Sequence, residues 1–465
     1  MVGRKTKAGR GRRRQPAVER PPELGNLSGL LPADELSALA AAMTMRPPKA
    51  VRPRPAAACG QAHEDAQSQA SRLPFATEPV PWFPDGRFCV DTHQPGQFLA
   101  HAAGGYFVQD AGSMLALRLL DPAPTEWVAD VCAAPGGKAS AILEQVGPGG
   151  GFLLANEPIH GRVPALEYNL ARVGFPRYAV STADPERLAA IWSEQFQAVL
   201  VDAPCTGQTL LGRGRQSTAA FIESRVAHAA ARQRRILQAA AMLVAPGGRL
   251  VYSTCTFAAE ENEQVIAAFL AEHAGWTVEP VAGLEDWLSP LEPGGYRLYP
   301  HRDRCGGAYA IRLRRQGQSV QPEGLGTERS WKPLVIGADQ VGQTCGGLVV
   351  ERGQRQEEWP ADVARVVDPS VGVGGEVAYR PGKHWMPAHG LALRRDDNWR
   401  PQLIVDLDDQ AAQQFLQGLA LPAGPLGWAV ARWRGHPLGW LRGNRDRSNN
   451  GLPAAARLRF AATIG

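Results

Sequence analysis

The sequence predicts an α/β protein, with a mostly parallel sheet covered by helices at its centre, a small helical segment before it and a β-rich domain after it. Three observations lead there. From about Gly104 onward, short apolar runs alternate with helix-period runs, and repeated β-α order builds a parallel sheet with helices on both faces. Asp130, Glu157, Asp184, Asp202 and Cys255 fall at or just after the ends of those runs, where open α/β sheets bind ligands. Past Gly326 the apolar runs shorten and are broken by Gly and Pro.

The elements follow in order. Residues 30–45 read as a short amphipathic helix with Asp34 near its start, stopped by Pro47 and Pro48. Residues 49–75, rich in Pro, Ala and Gln, read as a linker. A helix at 112–120 precedes a strand at 127–131, a glycine turn and a helix running to about Glu144. Strand 151–155 leads to a helix through Leu166 and Leu170 that stops near Gly174. Strands 178–181 and 196–201 lead to Asp184 and Asp202. A long alanine-rich helix spans 218–243, and Pro246-Gly247-Gly248 turns into strand 249–253. Residues 316–326 read as a second linker, followed by strands at 333–336, 347–350, 403–407, 427–433 and 438–441. The expected domains are a basic disordered tail (1–20), a helical segment with linker (21–80), the α/β domain (81–316), a linker (317–330) and the β-rich region (331–465).

Composition narrows the class. A chain of 465 residues can hold more than one core, and 20% charged residues is ordinary for a soluble protein. No apolar run approaches the ~18 residues of a membrane span, and the N-terminus lacks the apolar core of a signal peptide. Seven cysteines without a C-x-x-C pair argue against a zinc site or a disulfide framework and for reduced thiols in the cytoplasm. Arg4, Lys5, Lys7, Arg10, Arg12, Arg13 and Arg14 supply seven positive charges, and without them the net +5 becomes −2. Such a tail can bind polyanions without sequence preference.

Three segments carry chemistry. In Cys132-Ala133-Ala134-Pro135-Gly136-Gly137-Lys138, small residues and glycines let a backbone approach a ligand, and the helix start offers free N–H groups. It is not a phosphate-binding P-loop, which needs Gly at 132 and Ser or Thr at 139. Glu157 suits the two hydroxyls of a ribose, and Asp184 lies at the next strand end. Asp202-Ala203-Pro204-Cys205 and Ser253-Thr254-Cys255 place two thiols at strand ends. A thiolate that adds to C6 of cytosine makes C5 electron-rich enough to take a methyl group, after which a base removes the C5 proton and the thiolate leaves. Asp202 is placed to hydrogen-bond the pyrimidine. Neither spacing nor chemistry says which cysteine attacks.

These segments resemble the RNA (cytosine-5)-methyltransferases of the NOL1/NOP2/sun family from about Pro81 to Arg314. Gly105-Tyr106-Phe107-Val108-Gln109-Asp110-Ala111-Gly112-Ser113, the turn 130–138, both cysteine motifs, Glu260-Glu261-Asn262-Glu263 and Arg297-Leu298-Tyr299-Pro300-His301 occur in the family's order. The resemblance implies a Rossmann-like domain that uses S-adenosylmethionine, held by Cys132, Ala133, Ala134, Pro135, Gly136, Gly137, Lys138, Glu157, Asp184 and Asp202. It implies Cys255 as the nucleophile, Cys205 as the residue that helps release product, Asp202 beside them, and no metal. His384-Trp385-Met386-Pro387 and the segment 427–440 resemble the PUA-like domain of a bacterial ribosomal-RNA branch, with Arg432, Trp433, Arg434, Trp440 and Arg442 as an RNA surface or, for Trp428 and Trp440, as core. The implied partner is RNA: 16S ribosomal RNA first, alone or in a ribosomal subunit or its precursor, with tRNA as the alternative. A catalytically silent assembly factor is the rival from another class.

Overall fold

The computed structural model describes residues 24, 27, 30–55, 72–90, 94–318, 332–345, 347–366, 369–458 and 462–464. The basic tail lies outside the described residues, as does most of the linker expected at 317–330. The first helix is α1 (Ala33–Ala42), shorter than expected. Leu39 and Met43 bury against Leu211, Phe257 and Tyr299, which seats α1 on loops of the central domain.

The expected linker begins instead with a buried strand, β1 (Ala50–Pro53). With β2 (Thr77–Val80), β3 (Phe83–Cys89) and β4 (Tyr106–Gln109) it forms a four-stranded sheet ordered β2-β3-β1-β4. Two arginines make that possible by finding distant acceptors. Arg52 donates to Gln109 and Ser140 (3.3 and 3.2 Å) and pairs with Glu144. Arg54 donates to the carbonyls of Gly104, Val173 and Arg172 at 2.7, 2.6 and 2.8 Å. Burial pulls the Arg52 guanidinium down to about 9.

The central sheet has eight strands. Its parallel part runs through β5 (Trp127–Asp130), β6 (Phe152–Asn156), β7 (Tyr178–Ser181), β8 (Phe196–Asp202) and β9 (Val244–Thr254), in the spatial order β7-β6-β5-β8-β9. Antiparallel β10 (Trp276–Val278), β11 (Tyr296–Leu298) and β12 (Ala308–Arg315) complete it. Alternation along β8 decides the faces: Ala198 and Leu200 join one core, Val199 and Val201 the other. Pro246-Gly247-Gly248 does not end a turn as expected; these residues lie inside β9, where the register with β8 shifts. The long helix splits into a 3-10 turn and α2 (Glu223–Ala241). The order reverses between β5 and β8, so the crevice of the sheet opens at their carboxyl ends.

Among the described residues, three further sheets lie between Lys332 and Asn450; the last is five-stranded, with Ile404–Leu407, Gly427–Trp433, His436–Gly443, Arg447–Asn450 and Leu421–Pro422 adjacent in that order. Trp428 and Trp440 are core there. Arg432, Arg434 and Arg442 are paired with Asp406, Asp409 and Asp339 at 2.7, 3.1 and 3.5 Å, so the basic and aromatic surface read from the sequence is largely neutralised. The region is fastened to the central domain. Trp359 and Val363 enter its core, Arg177 pairs with Asp362 at 2.6 Å, and Val180 and Val373 exchange backbone hydrogen bonds of 2.8 Å. A second seam joins Leu99 N–H to the Thr463 carbonyl (3.0 Å) and Thr463 N–H to the Gln97 carbonyl (2.9 Å).

Candidate active site

The turn after β5 is built by its neighbours. Gly136 has φ 104°, and a Cβ there would meet Asn169 at 3.1 Å, so glycine is required on both counts. Asn169 donates to the Pro135 carbonyl at 2.7 Å, Arg162 donates to the Ala134 carbonyl, and Ala133 N–H donates to the Asn156 carbonyl at 2.8 Å. The helix that follows spans Gly137–Val146 and has no side-chain cap. Its first N–H groups are therefore free for a ligand.

A cleft of about 820 Å³ opens here, lined by Cys132, Lys138, Asp130, Asp202 and Cys255 among others. Lys138 Nζ lies 2.7 Å from Asp202 Oδ2, and Ser253 donates to Asp202 Oδ1 at 2.9 Å. Burial opposes the charge on Lys138, but the pair with Asp202 outweighs it and raises the ammonium's pKa. Asp130 is pushed up to about 7, chiefly by burial and then by Asp202. Burial also raises the Cys132 thiol.

The two catalytic candidates meet. Cys205 Sγ is 2.9 Å from Cys255 Sγ, and Cys255 N–H donates to Cys205 Sγ at 3.3 Å. The hydrogen bond to Cys255 and then burial hold the Cys205 thiol well above its ordinary range. Cys255 lines the large cleft, whereas Cys205 lines a separate, smaller pocket.

Glu157 and Asp184 do not line the cleft. Glu157 accepts from Ile159 N–H at 3.0 Å; its other oxygen is buried, 3.0 Å from Arg162, and has no aligned hydrogen bond among the described residues. Asp184 is exposed at the start of the helix Pro185–Ile191. The free N–H groups at the turn fit the anionic end of a ligand, while the buried Glu157 oxygen, beside Arg162, lies outside the cleft lining.

Sequence reasoning did not find what holds the two thiols. Glu261 is fully buried and accepts from Thr206 N–H (3.0 Å), Thr206 Oγ1 (2.5 Å) and Gln233 (2.8 Å), while Tyr252 donates to its carbonyl at 2.6 Å. Asn262 accepts from Thr254 at 2.6 Å, and Glu263 pairs with buried Arg297. The acid-rich tetrapeptide quoted above thus clamps the loops of both cysteines to β11. Asp110, paired with Arg213 and lining the cleft, was likewise visible only as a letter in a motif. Among the described residues, no group of three or more His, Cys, Asp or Glu could hold a metal ion, and no helix is long and apolar enough to cross a membrane.

Residues 117–314 match the family described as 16S rRNA methyltransferase RsmB/F, and residues 402–458 match the methyltransferase RsmF PUA domain. The ribosomal RNA small subunit methyltransferase F of Cronobacter sakazakii is 34% identical over 382 residues, covering 76% of this chain and 78% of that protein. A methyltransferase homologue from Pyrococcus horikoshii superposes with a TM-score of 0.53 at 26% identity, covering 61% of this chain and 92% of the other. NSun6 from Pyrococcus horikoshii, solved with SFG, shares the fold at a TM-score of 0.50 and 18% identity, over 63% and 97% of the two chains. With a Rossmann-like catalytic domain and a PUA domain both matched, the chain belongs to the family of ribosomal RNA small subunit methyltransferases F.

Proposed function

We propose that the protein is an S-adenosylmethionine-dependent methyltransferase that makes 5-methylcytosine in 16S ribosomal RNA, with Cys255 as nucleophile. The observation that carries the reading is the contact of two thiols, 2.9 Å apart, at the ends of adjacent parallel strands beside a ligand-ready glycine turn. S-adenosylmethionine, when bound, supplies the electrophilic methyl group. Cys132, Ala133, Ala134, Pro135, Gly137, Lys138 and Asp202 line the cleft and would hold it, whereas Glu157 and Asp184 lie outside that lining.

The chain's own residues divide the remaining work. Cys255, on the cleft side, adds as thiolate to C6 of the cytosine, and the C6–S bond makes C5 nucleophilic. Cys205 keeps its proton, because the hydrogen bond to Cys255 and burial raise its pKa, and it steadies the neighbouring thiolate as donor. After methylation the C5 proton leaves to a base, the C6–S bond breaks, and Cys205 assists that release. Lys138 and Ser253 fix Asp202 toward the base. The cytosine must leave its stack to reach Cys255, so a loop or a helix the enzyme opens is the expected target. An rRNA substrate implies the cytoplasm, and a ribosomal subunit or its precursor as partner.

Bisulfite sequencing of total RNA from a deletion strain and its parent tests this. Loss of one 5-methylcytosine in 16S rRNA is the expected result. Loss in a tRNA keeps the chemistry and overturns the substrate; no loss anywhere favours a silent assembly factor.

A further inference from the structure

Cys205 lines a second, open pocket of about 270 Å³ that shares no lining residue with the cofactor cleft. One wall is the loop residues Cys205, Thr206 and Gln216; the other is the first half of α2. Arg225, His228 and Arg232 stand there at spacings of three and four residues, which puts them on one face of the helix. All three are exposed. Ser224 joins them, and no acidic residue lines the pocket.

The surrounding acids are occupied or turned elsewhere. Glu261 behind Thr206 is fully buried and takes hydrogen bonds from Thr206 and Gln233. Glu186 pairs with Arg235 at 2.7 Å, and Glu223 is exposed at the helix start outside the lining. Arg232 also donates to the Pro204 carbonyl at 3.1 Å, which ties this face to the residue just before Cys205. The pocket therefore offers cationic and neutral donors with no carboxylate in its lining, and Cys205 is itself part of its wall.

We propose that Arg225, His228 and Arg232 bind the backbone phosphates of the RNA strand next to the target nucleotide, on the Cys205 side. The inference rests on the RNA-methylating reading and names where the strand runs relative to the two cysteines. A flipped base enters toward Cys255, and its neighbouring phosphates cross the Cys205 side and lie along α2. Phosphate contacts of this kind set register and carry no sequence information.

The test uses the full chain, a 16S rRNA transcript and a short oligouridylate. Arg225→Gln, His228→Gln and the double variant spare Arg232, which supports the Pro204 carbonyl. The double variant should bind both RNAs several-fold more weakly. Its slope of log affinity against log salt should fall by about 0.7 for each phosphate contact removed. KM for RNA should rise while kcat at saturating RNA holds, and Arg225→Lys should restore the slope. Melting temperature and S-adenosylmethionine binding should match the wild type. A wild-type salt slope in the folded double variant overturns the inference while leaving the proposed function standing. A wild type that methylates no RNA overturns the proposed function first.

Discussion

The two ends of the central sheet both bury charge, and they treat it differently. At the amino ends, Arg249 forms two hydrogen bonds to Glu126 (2.9 and 2.6 Å) and donates to the carbonyls of Leu120 and Asp121 (2.5 and 2.9 Å). Gln197 there accepts from Trp127 N–H at 2.9 Å. Arg249 and Glu126 thus find their partners within the fold. At the carboxyl ends, Asp130, Lys138 and Asp202 form only a partial network, and all three face the cleft. Opposite charges make an anchor where they are fully paired and a site where one side is left to a ligand.

That contrast can be broken by experiment, beginning with the largest effect. Cys255→Ala should abolish methyl transfer and leave no covalent RNA adduct, whereas Cys205→Ala should accumulate the adduct. Denaturing gels of each variant with rRNA decide it, and the opposite pattern reverses the two roles. Next, Arg249→Met strands Glu126 at the closed end. It should cost about 3–5 kcal/mol of stability in denaturant melts while kcat of the folded fraction stays near wild type. At the open end, Lys138→Met should do the reverse. The pair with Asp202 is partly exposed, so stability should change by about 1 kcal/mol or less, while the methylation rate falls roughly a hundredfold through misplacement of Asp202. Equal stability losses for the two methionine variants would refute the distinction.

The smallest effect concerns pH. Burial and then Asp202 push the Asp130 carboxyl from its ordinary 3.8 up to about 7. The folded state holds its proton longer than the unfolded chain, so this group's contribution to stability declines as pH rises from 3.8 to about 7. Asp130→Asn should flatten that decline in melting curves taken across the same window.

The central sheet was legible because its signal is local. Each parallel strand is a short apolar run, and each ends on a residue whose chemistry stands out, as at Asp202 and Cys255. The N-terminal sheet was not legible, because β1 reads as Val-Arg-Pro and becomes a buried strand only through acceptors far along the chain. Arg52 meets Glu144 and Arg54 meets Val173, 92 and 119 residues away. No window of sequence contains both partners. The register shift inside β9 was missed for another reason: Pro-Gly-Gly is ordinary turn chemistry, and only pairing with β8 makes it a bulge. Both cysteines were found, but not what fixes them, since Glu261 shows its role only once Thr206 and Gln233 fold onto it.

The seam between Phe98 and Thr463 bears on how the protein is made. Its halves are 365 residues apart, and at about 5–20 residues per second a ribosome needs some tens of seconds to travel between them. Throughout that interval the segment around Leu99, which packs with Phe415 and Trp433 in the finished molecule, has apolar surface and no cover. The central sheet, by contrast, can close as soon as β12 emerges. Synthesis therefore passes through a stage in which the strands of the sheet are all made while this flank, and the face that Trp359 and Val363 later cover, still await their partners.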